Sequence, residues 1–316
     1  MTFKNSIKIM LTNFSLVWKV LVFLILCSAV LMTLIYFTLQ SVVDMLISSG
    51  VLNVFVEAYS SFLVNLNLTL FLQALGDGVV MLSDWFVGVL PQIWINVVLF
   101  VLLIVIFRSI IYNLAYMPIT NKINYYMGSM TRYPFFNSIV STFGLNLKYQ
   151  LVYTFTLLPV KLASTYAIMQ MFRLFTINGL FPIFTLFLII LAFTLVTVIR
   201  VCLFNVWIPA MIVFNHGVFS ALVRGIKISI RKFWTTFSNS VILVLTILVV
   251  NIMAGLATVG VALLVTIPAS YILYSIFGLV VLYDAQGMKY YVDNYNVVVP
   301  RKKDTTEKIS TVKYII

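Results

Sequence analysis

Long apolar runs separated by short polar segments dominate the pattern of this chain. An α-helix needs about 20 apolar residues to cross the hydrocarbon core of a bilayer, and several runs approach or exceed that length. The predicted spans are residues 16–39, 93–115, 150–172, 183–204, 240–255 and 261–283. The pattern therefore predicts an all-α polytopic integral membrane protein with six transmembrane helices. Residues 1–283 would form one membrane domain, and residues 284–316 a basic cytoplasmic tail.

Other segments combine the helical period with one apolar side and one basic side. In residues 219–237, apolar side chains fill an arc of about 100° on the helical wheel. The cations on the opposite side are Arg224, Lys227, Arg231 and Lys232. Ile228 is the one apolar residue that falls among them, and similar amphipathic segments occur at residues 3–14 and 136–147. The pattern is typical of helices in the headgroup plane, although a plain extension of the following span remains an alternative.

Residues 41–90 differ from the other connections because they contain acids but no lysine or arginine. Two apolar-rich stretches, broken at Gly76-Asp77-Gly78, predict one or two helices lying against the outer leaflet. Nearly all cations lie at the termini and in the connections after spans 2 and 4. By the positive-inside rule, we expect a cell-membrane protein with both termini in the cytoplasm.

Composition excludes several classes of protein. With 63% hydrophobic and 9% charged residues, the chain is not a soluble domain. His216 is the single histidine and has no cysteine or carboxylate near it in sequence, so no metal site is predicted. The motifs of nucleotide hydrolases, zinc proteases and serine hydrolases do not occur. We therefore expect no enzyme activity, no cofactor and no nucleic-acid partner.

Four cations lie within the predicted spans: Lys19 at the entrance of the first span, and Arg108, Lys161 and Arg200 deeper in theirs. A charge there is unfavourable by roughly 2.5–3.5 kcal/mol on insertion scales, so each needs a partner or a route to water. Arg108 and Arg200 either reach the inner headgroups or face inward and hold an anion or Asp284. Lys161 lies near the middle of span 3, two residues after Pro159. We expect a cytoplasm-facing polar pocket of Lys161, Arg108 and Arg200 that holds a lipid phosphate or another anion. The other candidate anion- or lipid-binding residues are the cations of the amphipathic segment, Arg224, Lys227, Arg231 and Lys232.

Short similarities within the chain indicate an internal repeat. Residues 5–9 match residues 224–228 in spacing. An order of arginine, asparagine and proline also occurs twice, in Arg108, Asn113 and Pro118 and in Arg200, Asn205 and Pro209. These matches predict three units, each a cytoplasmic surface helix followed by a two-span hairpin, around an axis along the membrane normal. Shared composition among membrane helices would also produce such matches by chance.

The segment from Pro209 to Leu245 contains the stretches Phe219–Leu222 and Gly225–Trp234. It resembles the membrane domains of bacterial glycerophosphodiester phosphodiesterases and their stand-alone six-span relatives. In that group, a short basic surface helix ending in an aromatic residue also precedes a span. The given sequence includes no phosphodiesterase catalytic domain, so the resemblance implies architecture and carries over no catalytic residue.

From these patterns we expect a non-enzymatic accessory or scaffold protein. Its basic cytoplasmic face would engage anionic membrane lipids or the transmembrane helices of another membrane protein. The alternative is a transporter or channel subunit for a lipid or small anion that uses the inner-half basic pocket. A water-accessible cavity reaching Lys161 would favour the transporter, whereas tight packing around Lys161 would favour the scaffold.

Overall fold

The computed structural model describes residues 2–178 and 182–299, and almost all of these residues are helical. The helices are α1 (Thr2–Thr12), α2 (Ser15–Ser48), α3 (Val51–Asn65), α4 (Leu68–Val101), α5 (Arg108–Asn113), α6 (Tyr116–Ser129), α7 (Phe135–Asn178), α8 (Pro182–Phe204), α9 (Trp207–Phe214), α10 (Val218–Arg231), α11 (Phe233–Ala257) and α12 (Leu263–Gln286). A π-helical segment, Leu102–Phe107, joins α4 to α5. After α12, strands β1 (Tyr290–Tyr291) and β2 (Val297–Val298) form a small antiparallel hairpin that the sequence did not predict.

Several helices have the length and composition of membrane spans. Within the described residues, the segments that qualify are Ser15–Ser48, Leu68–Ser129, Phe187–Phe214, Phe233–Ala257 and Leu263–Gln286. The chain is thus an all-α, multi-pass membrane protein, as the apolar runs predict. The predicted span at residues 150–172 lies within α7, where several side chains are outside the described residues.

The helices on both sides of the acidic connection are longer than the predicted spans. Helix α2 continues to Ser48, and α4 runs without a break through the Gly76-Asp77-Gly78 sequence and through Pro91. Helix α3 packs against α4. A Cβ on Gly78 would lie only 2.9 Å from the ring of Phe55, so this glycine provides room for a helix contact. The predicted break is therefore a packing position, because tertiary contact compensates for the low helix propensity of glycine.

Six helical elements form a closed ring. Helices α2, α4–α5, α7, α8, α11 and α12 each contact the next in chain order, and α12 returns to contact α2. Helix α4 also contacts α8. Elements that follow one another in the ring therefore also follow one another in the chain, and three of the connections between them contain helices of their own, namely α3, α6, and α9 with α10.

One end of the ring is covered by α1, α6, α9 and α10, which together are called the short-helix layer. The C-terminal half of α12 passes into this layer and contacts α1, α6 and α9. Every residue from Ile276 to Tyr283 is buried. The end of this apolar span is therefore the core of the short-helix layer and does not face lipid.

The first part of the predicted polar tail is folded onto the short-helix layer. Tyr290 in β1 is fully buried, and β1 contacts α6. The hydroxyl of Tyr290 donates to Asp284 Oδ1 at 3.0 Å and accepts from Asn5 Nδ2 at 2.9 Å. Thr2 Oγ1 donates to Asp284 Oδ2 at 2.8 Å. These bonds connect α1, the end of α12 and the hairpin, while the basic residues 301–303 lie outside the described residues.

Candidate anion-binding cavity

The ring surrounds a partly open cavity of about 1300 Å³, called the ring cavity, and some of its lining residues, such as Arg108, are exposed. Side chains from all six elements of the ring line it, together with residues of α6 and α9. Along α8 its lining extends from Ala192 to Asn205, which corresponds to about 20 Å of helix. The ring cavity therefore extends from the short-helix layer, its inner end, far towards the opposite end of the bundle.

The inner end of the ring cavity holds both arginines that the sequence singled out. Arg108, the first residue of α5, and Arg200, near the end of α8, line the same space although they are far apart in sequence. The π-helical segment directly before Arg108 is a type of irregularity that often occurs at functional sites. The two guanidinium groups supply hydrogen-bond donors of fixed, planar geometry to this end of the ring cavity.

No described residue lining the ring cavity is an aspartate or glutamate. Within the described part of the chain, the Nε atom of Arg200 is buried and has no hydrogen-bond partner. The nearest electrostatic neighbours of this side chain are phenol groups, chiefly those of Tyr153 and Tyr274. A partly buried cation without an anion beside it is unfavourable, so the ring cavity favours the binding of negative charge.

Asp284 does not supply this negative charge, so the alternative in which Arg108 or Arg200 holds Asp284 is not found in the described part of the chain. Both carboxylate oxygens of Asp284 already accept hydrogen bonds, one from Thr2 and one from Tyr290. The residue lies in the buried C-terminal half of α12, beyond the segment of that helix that lines the ring cavity. The position of Asp284 in the sequence gave its approximate depth but not which residues its side chain would meet.

A cluster of aromatic side chains surrounds the arginines, and the sequence prediction missed it. The ring of Tyr116 stacks on Tyr271, with centroids 4.8 Å apart, and lies 5.2 Å from Tyr274. Tyr149 and Tyr153 form a second stacked pair at 5.4 Å. The available signal was the helical spacing of the pairs 149/153 and 271/274, which places each pair on one face of its helix. These tyrosines add hydroxyl groups to the inner end of the ring cavity.

Amide side chains hold the ends of the helices that carry the arginines. Gln150 Nε2 donates to the carbonyl oxygen of Asn113 at 2.9 Å, and Asn146 Nδ2 donates to that of Leu114 at 2.7 Å. At the end of α8, Asn205 Nδ2 donates to the carbonyl oxygen of Tyr274 at 3.3 Å. The first two bonds supply partners to carbonyl groups at the end of α5, and the third ties the residue after α8 to the middle of α12. They fix α5 and α8, and with them Arg108 and Arg200, relative to α7 and α12.

The ring cavity becomes mainly apolar away from its inner end. Its lining there includes Phe193, Leu248, Ile252 and Leu264, and also the polar pair Asn251 and Ser270, which are hydrogen-bonded to each other. Residues on both sides of Lys161 also line the ring cavity, but the side chain of Lys161 is outside the described residues. The ring cavity is therefore amphipathic along its length, with cations and phenols at the inner end and a mainly apolar lining beyond.

The predicted basic amphipathic helix is α10, which is shorter than predicted. It has a buried face, an exposed apolar face and a basic face. It ends at Arg231, and the following Lys232 has a non-helical backbone, with φ −122° and ψ 38°, before α11 begins. Its buried face consists of Ala221, Gly225, Ile228 and Ser229. The remaining apolar residues include Phe219, Val223 and Ile230, which are all more than half exposed. Ile228, the apparent exception in the cationic arc, is therefore one of the residues that attach α10 to the protein.

The four cations of this region line a second, smaller cavity of about 170 Å³, called the basic hollow. Its lining residues are Arg224, Lys227, Ile228, Arg231, Lys232, Ala285 and Gln286. None of these residues lines the ring cavity. Apart from Lys161, the candidate residues predicted from the sequence thus fall into two groups in space, one in each cavity.

In comparisons with protein families, with characterised proteins and with solved structures, the chain shows no significant match. The resemblance of residues 209–245 to phosphodiesterase membrane domains therefore stays a prediction. The fold defines the class of protein: a multi-pass, all-α membrane protein with a large amphipathic cavity inside a ring of helices.

Proposed function

We propose that this protein binds an anionic amphiphile in the ring cavity and acts as a carrier or channel subunit for it. The ligand class is a lipid-like molecule with a phosphate or carboxylate headgroup and a hydrocarbon tail. The observation that carries the proposal is the position of Arg108 and Arg200 in one cavity whose described lining has no carboxylate. No catalytic step is part of the proposal.

The chemistry of the ring cavity matches such a ligand at both ends. A guanidinium group binds phosphate or carboxylate through paired hydrogen bonds, which are stronger than bonds between neutral groups. The headgroup would lie between Arg108 and Arg200 and accept hydrogen bonds from nearby tyrosine hydroxyls. The tail would lie along Phe193 and Leu248, where burial of apolar surface contributes about 25 cal/mol per Å².

The proposed topology has six spans, with the predicted span at residues 150–172 as the third. Its support is that α7 belongs to the ring and contacts α4, α5 and α8. We further propose that the hairpins α2/α4–α5, α7/α8 and α11/α12 are the three repeated units. The positive-inside pattern supports cytoplasmic termini and puts the inner end of the ring cavity near the inner leaflet of the cell membrane.

A second candidate function is the accessory or scaffold role, and the exposed side of α10 favours it. Phe219, Val223 and Ile230 are exposed on the helix that also carries the basic residues. Such a helix could attach the cytoplasmic face to anionic lipid or to a membrane partner. This role does not explain the ring cavity, so we place it second.

Native mass spectrometry of the full chain, purified in mild detergent, tests the proposal. The wild type should retain an anionic lipid or amphiphile in stoichiometric amount, and Arg108→Gln/Arg200→Gln should lose it. Arg132→Gln is the matched control, because Arg132 is exposed and does not line the ring cavity. Gel filtration and circular dichroism would show that the variants are folded. Equal retention of the ligand by wild type and double variant would overturn the proposal.

A further inference from the structure

The basic hollow lies at the junction of three helices, away from the ring cavity. It is formed by the cationic face of α10, by Lys232 at the start of α11, and by Ala285 and Gln286 at the end of α12. Positions 224, 227 and 231 follow the helical period, so their side chains share one side of α10. Four cations thus line a hollow of about 170 Å³.

Two of the four cations are held by neighbouring groups. Arg224 Nη1 lies 2.7 Å from His216 Nε2, and its guanidinium lies 3.6 Å from the centroid of the Phe214 ring. Because arginine has only donors, Nε2 of His216 accepts in this pair. Lys232 Nζ donates to the carbonyl oxygen of Asp284 at 3.0 Å. These contacts fix the two ends of the hollow, and the bond from Lys232 offsets the partial negative charge at the end of α12.

The other two cations, Lys227 and Arg231, have no hydrogen-bond or ion-pair partner among residues 2–178 and 182–299. The nearest acid in sequence, Asp284, directs both carboxylate oxygens to Thr2 and Tyr290. The hollow therefore has two fixed cations and two free ones, and no described carboxylate balances them.

We propose that the basic hollow is a second anion site, which binds the phosphate headgroup of a lipid in the inner leaflet. A phosphate group has enough acceptor oxygens to bond Lys227 and Arg231 together with the fixed cations. The exposed Phe219, Val223 and Ile230 on the same helix favour a membrane lipid over a soluble phosphate as the source. This site is independent of the ring cavity and of the function proposed for it.

The test is a titration of the full-length protein in detergent with two probes, short-chain phosphatidic acid and inorganic phosphate. The site variant is Lys227→Gln/Arg231→Gln. The control is Lys4→Gln/Lys8→Gln, which removes the same charge from exposed positions on α1. Both are also made in the Arg108→Gln/Arg200→Gln background, so that binding in the ring cavity is subtracted. The altered residues are all exposed, so the variants should fold: Lys227 and Arg231 in the hollow, and Lys4 and Lys8 on α1.

We expect saturable binding of phosphatidic acid that weakens about thirtyfold in the site variant, because each cation near a lipid phosphate contributes roughly one kcal/mol. The control should bind like the wild type, and inorganic phosphate should bind much more weakly. Equal binding of both probes, lost only in the site variant, would support a phosphate site but assign it to a soluble ligand. Equal losses in the site variant and the control, or no saturable binding, would overturn the proposal. Failure of the ring-cavity proposal alone would leave this result unchanged, because the titration does not depend on Arg200.

Discussion

Gly278 in α12 lies directly against Asn205 at the end of α8. A Cβ at position 278 would overlap the backbone carbonyl oxygen of Asn205 and would approach its side-chain oxygen to 3.0 Å. Asn205 in turn donates to the carbonyl oxygen of Tyr274, one turn before Gly278. This close contact holds the turn between α8 and α9 against α12, five residues along the chain from Arg200.

We expect Gly278→Ala to destabilise the protein by about 1–3 kcal/mol, because an added methyl group in a packed interior forces backbone movement. Gly144→Ala is the matched control, since a Cβ there would meet no atom within 4 Å. The control should be neutral or stabilise by about 0.5–1 kcal/mol through the helix propensity of alanine. Thermal unfolding in detergent measures both changes, and similar effects of the two substitutions would contradict the prediction.

Arg200→Met should change stability and ligand binding in opposite directions. Removal of a partly buried cation without a described anionic partner should stabilise the delipidated protein by about 1 kcal/mol. The same change should reduce the rise in melting temperature that added anionic lipid produces, since that rise depends on ligand affinity. Arg132→Met, at an exposed position, should alter neither quantity. An undiminished lipid-dependent shift in Arg200→Met would show that this arginine does not bind the ligand.

Ile228→Ala should be much more damaging than Ile230→Ala, although the amphipathic pattern of the sequence suggests the reverse. Ile228 is 8% exposed and packs into a buried cluster, whereas Ile230 is 59% exposed. We expect a loss of about 2–4 kcal/mol for the first and less than about 0.5 kcal/mol for the second. Chemical or thermal unfolding of the two variants side by side provides the measurement, and equal losses would contradict the assigned orientation of α10.

Tyr290→Phe should loosen the contact between α1 and the end of α12. The variant removes one donor to Asp284 and the acceptor for Asn5, at a cost of about 1–3 kcal/mol. Tyr295→Phe serves as the control, because Tyr295 is 94% exposed. Limited proteolysis near the N-terminus should be faster in Tyr290→Phe only. Unchanged cleavage would indicate that the hydrogen bonds do not hold α1 in place.

The stability of the same contact should depend on alkaline pH. Burial, and then the neighbouring Asp284 carboxylate, raises the pKa of Tyr290 above its usual value. The folded state therefore favours the neutral phenol, and this contribution is complete below about pH 10, the pKa of an unperturbed tyrosine, and is lost as pH rises above it. Wild-type melting temperature should fall more steeply above that pH than the melting temperature of Tyr290→Phe. Parallel curves for the two proteins would contradict this assignment.

Periodicity and apolar length were sufficient to predict the class of this protein and many of its helices. An apolar run long enough to cross a bilayer, or an apolar stripe at the helical period, is a local property that the chain carries in consecutive residues. The amphipathic segment at residues 3–14 corresponds to α1, and the one at residues 219–237 corresponds to α10 and the start of α11. The predicted spans at residues 183–204 and 261–283 correspond to α8 and α12, respectively. Arg108 and Arg200 could be singled out for the same reason, because a charge within an apolar run is visible in the sequence.

Only the tertiary structure decided which distant residues meet. The shared position of Arg108 and Arg200 in the ring cavity depends on the closure of the ring, which no short stretch of sequence encodes. The attachment of Ile228, the partners of Asp284 and the contact of Gly278 with Asn205 are likewise settled by packing between separate elements. Periodicity and position in the sequence give the face and the depth of a side chain on its own helix. The residues that this side chain contacts depend on how the other helices are rotated and how closely they approach. Close packing allows few such arrangements, and only the tertiary structure shows which one is formed.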